Sequence, residues 1–225
     1  MLIKREIFPE LLEQMARKEI TLIVGPRQAG KTTLMNLLKE ELIKRGEKTL
    51  FMSLDFERDM PSFRSQQAII ERLNLEFGSK KAYVFIDEIQ RKKDAGLFIK
   101  GIYDMNLPYK FIISGSGSLE LEESIHESLI GRKRLFELNT LSLKEFINFK
   151  TGYKYEDRLK EFFKIEDRLK EFFKIDPLAK DLFLEYMNFG GYPRVVLEER
   201  LDQKIAVIDD IYRSYIEKDI SFLLR

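Results

Sequence analysis

Cysteine is absent from the 225 residues. That removes disulfides, thiolate zinc sites and thiol nucleophiles, and it fits a reducing, cytoplasmic setting. Histidine occurs once, at His126, so a histidine-based metal site or triad has no material; His126 reads as a surface helix residue. Charge of one sign is missing too. Lys+Arg number 39 against 38 Asp+Glu, which gives no global field toward nucleic acid or an anionic membrane. Contact with DNA would rest on short clusters such as Lys80–Lys81, Arg91–Lys92–Lys93 and Arg132–Lys133–Arg134, each the size of ordinary solvated surface. No apolar run approaches the ~20 residues of a bilayer span. Met1–Glu6 alternates apolar and charged residues, without the apolar stretch of a signal peptide. What is present, 44% hydrophobic and 34% charged residues, is the material of a globular protein with a sizeable core.

Apolar runs at Ile20–Val24, Thr49–Leu54, Ala82–Ile86, Lys110–Ile113 and Leu135–Leu138 read as strands. Several are apolar throughout instead of alternating, as in a parallel sheet covered on both faces. Helical periodicity fills the intervals: Lys31–Arg45, ending at Gly46, much of Phe63–Phe77, Gly96–Met105, and a helix from Ser118 as N-cap to Gly131. Beyond Ser142 only helical signals remain: Leu143–Phe149, Tyr155–Ile175, Leu178–Phe189 with Asp176 as N-cap and Pro177 at N1, and Asp202 onward. Gly190–Pro193 reads as a turn. The expected fold class is therefore α/β, a parallel sheet flanked by helices, followed by a small all-helical domain. The boundary falls near 140–150, with 1–145 in the α/β core and 146–225 in the helical part.

Residues 156–165 read EDRLKEFFKI, and 166–175 repeat them without a change. A tandem duplication is the simplest account, since natural solenoid repeats are longer and degenerate. On one continuous helix, ten residues turn the face by roughly 280°, so the two Leu-Phe-Phe patches would point roughly 80° apart. The second set of phenylalanines then needs another element or another molecule to bury it, or stays exposed.

The chemistry is concentrated in three places. Gly25-Pro26-Arg27-Gln28-Ala29-Gly30-Lys31-Thr32 fits G-x-x-x-x-G-K-[ST], between an expected strand and an expected helix. Such a loop turns backbone N–H groups onto phosphate oxygens and sets the helix N-terminus behind them. Gly25, Pro26, Arg27, Gln28, Ala29, Gly30, Lys31, Thr32 and Thr33 are the expected nucleotide-binding set, with Lys31 on the phosphates and Thr32 on Mg²⁺. The strand ending in Asp87-Glu88 offers a second Mg²⁺ ligand, Asp87, and a general base, Glu88, for the attacking water. An acid pair there favours hydrolysis over transfer to a small molecule. Ser114, ahead of Ser116, follows the fourth strand and would sit beside the γ-phosphate; a polar turn is the alternative. Arg132, after the Ser118 helix, suits a finger acting on a neighbouring copy's ATP, but the helix dipole alone also accounts for a basic residue there. No guanine-reading Asn-Lys-x-Asp occurs, so ATP is preferred to GTP. The scattered Tyr and Phe form no stacking platform for single strands.

The segments GPRQAGKTTL, VFIDEIQ, FIISGSGSL, LIGRKRLFELNTLSLKEF, FGGYPRVV and YIEKDI together resemble the AAA+-type P-loop ATPases of archaea and bacteria that carry an "AAA_14" domain, usually followed by a DUF4143 domain. That resemblance implies an ASCE/AAA+-like sheet of order 5-1-4-3-2 with a helical lid. It also implies a further C-terminal region beyond the YIEKDI segment. The chain is similar as well to archaeal signal-transduction ATPases, whose lid carries a Gly-x-Pro turn near the adenine; Gly191-Tyr192-Pro193 matches it and places Pro193 with the nucleotide. The expected activity is Mg-dependent hydrolysis of ATP to ADP and phosphate, coupled to lid movement. The rival readings are a slow nucleotide-operated switch and a DNA-associated remodeller. Expected partners are ATP, an unidentified protein and a second copy in a homo-oligomer, with no membrane.

Overall fold

The computed structural model describes residues 2–116, 128–163, 172–174 and 176–216. His126, most of the Ser118 helix and the end of the YIEKDI segment lie outside them. Two compact units make up the chain: Ile7–Leu138, and Met1–Glu6 together with Asn139–Arg225. Among the described residues no helix is long and apolar enough to cross a membrane.

The first unit is a five-stranded parallel sheet of order β2-β3-β4-β1-β5. Its strands are β1 (Ile20–Gly25), β2 (Thr49–Ser53), β3 (Ala82–Asp87), β4 (Tyr109–Ser116) and β5 (Lys133–Glu137). This is the order the resemblance implied. Alternate side chains of one strand enter different layers, as the two-residue repeat requires. Ala82, Val84 and Ile86 pack with helices α3 (Gln66–Phe77) and α4 (Ala95–Asp104) through Ile69, Leu73, Phe98, Ile99 and Ile102. Tyr83 and Phe85 pack on the other face with α1 (Phe8–Gln14) and α2 (Lys31–Lys44) through Leu11, Leu34, Met35 and Leu38. Covering on both faces is why these strands read as unbroken apolar runs. The short α1, with Pro9 in its first turn, was not foreseen. A single buried Leu11 gives too little periodicity to mark it.

The second unit is helical: α5 (Leu143–Lys150), α6 (Glu156–Phe162), α7 (Pro177–Phe189), α8 (Pro193–Leu197) and α9 (Leu201–Tyr215). Ser142 and Glu145 form a reciprocal cap on α5: the Glu145 N–H donates to Ser142 Oγ, and the Ser142 N–H donates to Glu145 Oε2. Such caps contribute about 1 kcal/mol. Residues 2–6 belong here because Glu145 also holds them: its Oε1 accepts from Arg5 Nε at 3.1 Å and from the Glu6 N–H at 2.7 Å. Asp176 caps α7 by accepting from the Ala179 N–H, and it also accepts from the Tyr155 hydroxyl at 2.7 Å.

The single helix expected over 155–175 does not form. The rings of Tyr155 and Phe172 touch edge to face at 5.6 Å, and those of Phe162 and Phe172 stack at 5.0 Å. In one straight helix the Cα atoms of residues 155 and 172 would stand about 25 Å apart. Phe172, in the second copy of the repeat, is instead returned onto the first copy and is only 3% exposed. The second phenylalanine pair thus finds its cover within the repeat and on Phe183 of α7.

Candidate nucleotide site

The parallel register brings the C-terminal ends of β1, β3 and β4 to one edge. Ile23 lies opposite Ser114, and Ile86 opposite Ile113, which sets Asp87 beside Ser114. Open α/β sheets bind ligands at this edge.

The phosphate-loop sequence leaves β1 through Gly25, whose φ is 152°. A Cβ there would meet the carbonyl oxygen of Leu138 at 2.1 Å, since the Leu138 N–H donates to Val24 O at 2.8 Å and draws the end of the β5 segment against the loop. Both conformation and space demand glycine. Gln28 (φ 61°) and Gly30 (φ 98°) complete the turn, and Gly30 is the N-cap of α2. Lys31 and Thr32 open that helix, with Thr33 exposed behind them. The Lys31 ammonium is buried and donates to the carbonyl oxygens of Gly25 (2.8 Å) and Pro26 (2.9 Å). Burial lowers its pKa; the charges of Glu88 and Asp87 oppose that shift and Arg27 adds to it.

Asp87, itself buried, is the centre of the polar chain. Its Oδ2 accepts from the Thr32 hydroxyl at 2.8 Å, and its Oδ1 accepts from the Ser114 hydroxyl. Ser114 Oγ in turn accepts from the Glu88 N–H at 3.3 Å. Lys31, Thr32, Asp87, Glu88 and Ser114, which come from three separate stretches of sequence, therefore meet at one edge. A hydroxyl and a carboxylate are hard oxygen donors of the kind that suit Mg²⁺.

A family model described as AAA_14, an AAA domain, matches residues 17–147, more than half of the chain. The chain belongs to the AAA_14 family. Two mycobacterial relatives, the uncharacterized proteins Mb2031c of Mycobacterium bovis and Rv2008c of Mycobacterium tuberculosis, are each 31% identical over 143 residues. The match covers 63% of this chain and 30% of each relative, so the chain spans under a third of their length. Among solved structures, C. elegans PCH-2 is similar in fold, with a TM-score of 0.50 and 15% identity over 70% of this chain and 49% of that one. The Aeropyrum pernix Orc1 protein, solved in complex with DNA, gives 0.49 and 14% over 72% and 50%.

Two further residues of the expected set, Arg132 and Pro193, belong to separate compact units of this AAA_14 chain. The Arg132 carbonyl accepts from the Ile20 N–H at 2.9 Å, which puts Arg132 at the start of β1, at the opposite edge of the sheet from Gly25. Its guanidinium is paired with Asp104 at 2.7 Å. Pro193 belongs to the helical unit, where it opens α8. The preceding Gly191 is pressed on Leu141, whose carbonyl oxygen a Cβ would meet at 2.2 Å and whose N–H donates to Gly191 O at 2.7 Å.

One residue beside Glu88 escaped the sequence reading. Gln90 donates from Nε2 to Glu88 Oε2, and its Oε1 accepts from the Ser116 N–H at 3.1 Å. Gln90 closes the VFIDEIQ segment, but its position two residues past an acid does not by itself show which groups it meets. Its role depends on a turn at Glu88 (φ 59°) that only coordinates reveal.

Proposed function

We propose that this AAA domain binds ATP with Mg²⁺ and hydrolyses it to ADP and phosphate. The observation that carries the reading is the chain Thr32–Asp87–Ser114–Glu88, a phosphate-side hydroxyl and a general base joined through one buried carboxylate. The loop Gly25–Gly30 and the start of α2 would cradle the phosphates, and Lys31 would neutralise the β- and γ-oxygens. Thr32 and Asp87 would hold Mg²⁺, which supplies charge neutralisation at the phosphate oxygens. Ser114 fixes Asp87 by its hydroxyl and the Glu88 main chain by its oxygen, so the base and the metal ligand share one support. Glu88 would take the proton of the attacking water. The helical unit, with Pro193, is assigned the part of a lid whose movement follows the nucleotide state. Within one chain Arg132, paired with Asp104 at the other end of the sheet, takes no part in these steps.

Glu88→Gln tests the reading. It should leave ATP affinity within about threefold and lower turnover by about 100-fold or more, as loss of a general base does. Turnover equal to the parent would remove Glu88 from the mechanism. Parental turnover far below about one per minute, against a usual range of 1–1000 per second, would favour the nucleotide-operated switch.

A further inference from the structure

We infer that Gln90 is the positioning residue that aims the Glu88 carboxylate, tying it to the end of β4. The inference rests on the reading of Glu88 as the general base.

Glu88 adopts a left-handed backbone (φ 59°), a conformation that is strained for a non-glycine residue. The turn is closed by the Arg91 N–H donating to Glu88 O at 3.1 Å, within the short helical turn Ile89–Arg91. This reversal brings the Gln90 amide back beside Glu88. The orientation of that amide follows from its partners. Ser116 offers an N–H and takes up Oε1 at 3.1 Å, so Nε2 is the end that faces the carboxylate. The opposite flip would set oxygen against oxygen and nitrogen against an N–H.

Glu88 is therefore held to β4 twice. Its N–H donates to Ser114 Oγ, and its Oε2 is bound through Gln90 to the Ser116 N–H two residues further along the strand. A glutamate side chain left free samples several rotamers, and ordering it has an entropic cost. Fixing one oxygen beforehand orders the carboxylate, so this ordering is not required at the moment of reaction. A residue acting in this way changes kcat and leaves nucleotide affinity alone. A mere tether for the Ser116 main chain needs only an acceptor at position 90.

The test compares Gln90→Ala, Gln90→Glu and Glu88→Gln for steady-state ATP hydrolysis, with melting temperature measured alongside. Gln90→Ala should lower kcat about tenfold with KM for ATP within about twofold, the pattern of a lost transition-state contribution. Gln90→Glu keeps an acceptor for the Ser116 N–H but sets a carboxylate against a carboxylate, so it should fall at least as far while melting like the parent. Parental kcat in Gln90→Ala, or activity restored in Gln90→Glu, overturns the inference. Glu88→Gln inactive with Gln90→Ala unchanged removes Gln90 alone. Glu88→Gln as active as the parent, or a parent without hydrolysis, removes the reading of Glu88 and this inference with it.

Discussion

Lys31 and Lys110 are both buried in the α/β unit, at opposite ends of neighbouring strands. Lys31 follows the C-terminal end of β1. Lys110 lies near the start of β4, where its ammonium donates to the carbonyl oxygen of Glu19, just ahead of β1. Both are pulled below the ordinary lysine pKa by burial, but their surroundings differ. Around Lys31 the charges of Glu88 and Asp87 counter the burial, and two loop carbonyls hold the ammonium in place. Lys110 has only the influence of Glu19 against burial, and its pKa falls to about 8. One end of the sheet keeps a cation beside acids that are themselves tied together. The other end holds a cation whose one described hydrogen-bond partner is a main-chain carbonyl. A buried charge among partners aimed at a common point suggests chemistry; a buried charge with one main-chain partner is a cost of packing.

The strongest way to break this contrast is Lys31→Ala. ATP affinity, measured by calorimetry, should fall about 100-fold, equivalent to about 3 kcal/mol, while urea unfolding changes much less. A large loss of stability with affinity intact would make Lys31 a structural residue. Lys110→Met probes the opposite end. Between pH 8 and 10.5 the unfolded chain binds the proton that folded Lys110 has released, so the parent should gain stability as pH rises through that window. Below pH 8 both states hold the proton and this group adds no slope. The full shift, from 10.5 to about 8, corresponds to on the order of 3 kcal/mol. Urea midpoints at pH 7.5 and 10 should therefore move apart in the parent and by less in Lys110→Met. Ser114→Ala, at the chemical end, should lower turnover about tenfold, since one support of Asp87 and Glu88 is lost. Arg132→Ala should change least: its pair with Asp104 is exposed, and such pairs contribute little. A large fall in turnover that depends on protein concentration would instead assign Arg132 to a neighbouring copy's site.

The same contrast explains what could be read from the sequence. The five strands were legible because burial on both faces leaves apolar runs, and the phosphate loop because Gly25, Gly30, Lys31 and Thr32 stand at fixed offsets. The order of the strands came from the family resemblance, as nothing in the residues themselves selects neighbours. Lys110 gave no signal: it is the first residue of the expected strand Lys110–Ile113, and its burial comes from its place at the start of an interior strand. Gln90 was missed for a related reason, because its partners, Glu88 and Ser116, meet it through a left-handed turn. The helix drawn across 155–175 failed because periodicity sees local turns and not reversals. The excess width of its apolar face was the available warning, since a stripe too wide for one side signals a chain that packs on itself.

That reversal bears on how the gene can change. An in-frame loss of one ten-residue copy is the simplest change that would undo the duplication. Loss of one copy would take a ring out of the Tyr155–Phe162–Phe172 stack, and removing a buried phenylalanine costs about 3–5 kcal/mol. The two copies have the same sequence but not the same surroundings: Phe163 is exposed where its counterpart Phe173 is half-buried, and Phe172 is buried where its counterpart Phe162 is half-buried. Point mutations will therefore be selected differently in each. The second copy is thereby a structural part of the helical unit, since the Phe172 ring it contributes is buried against the first.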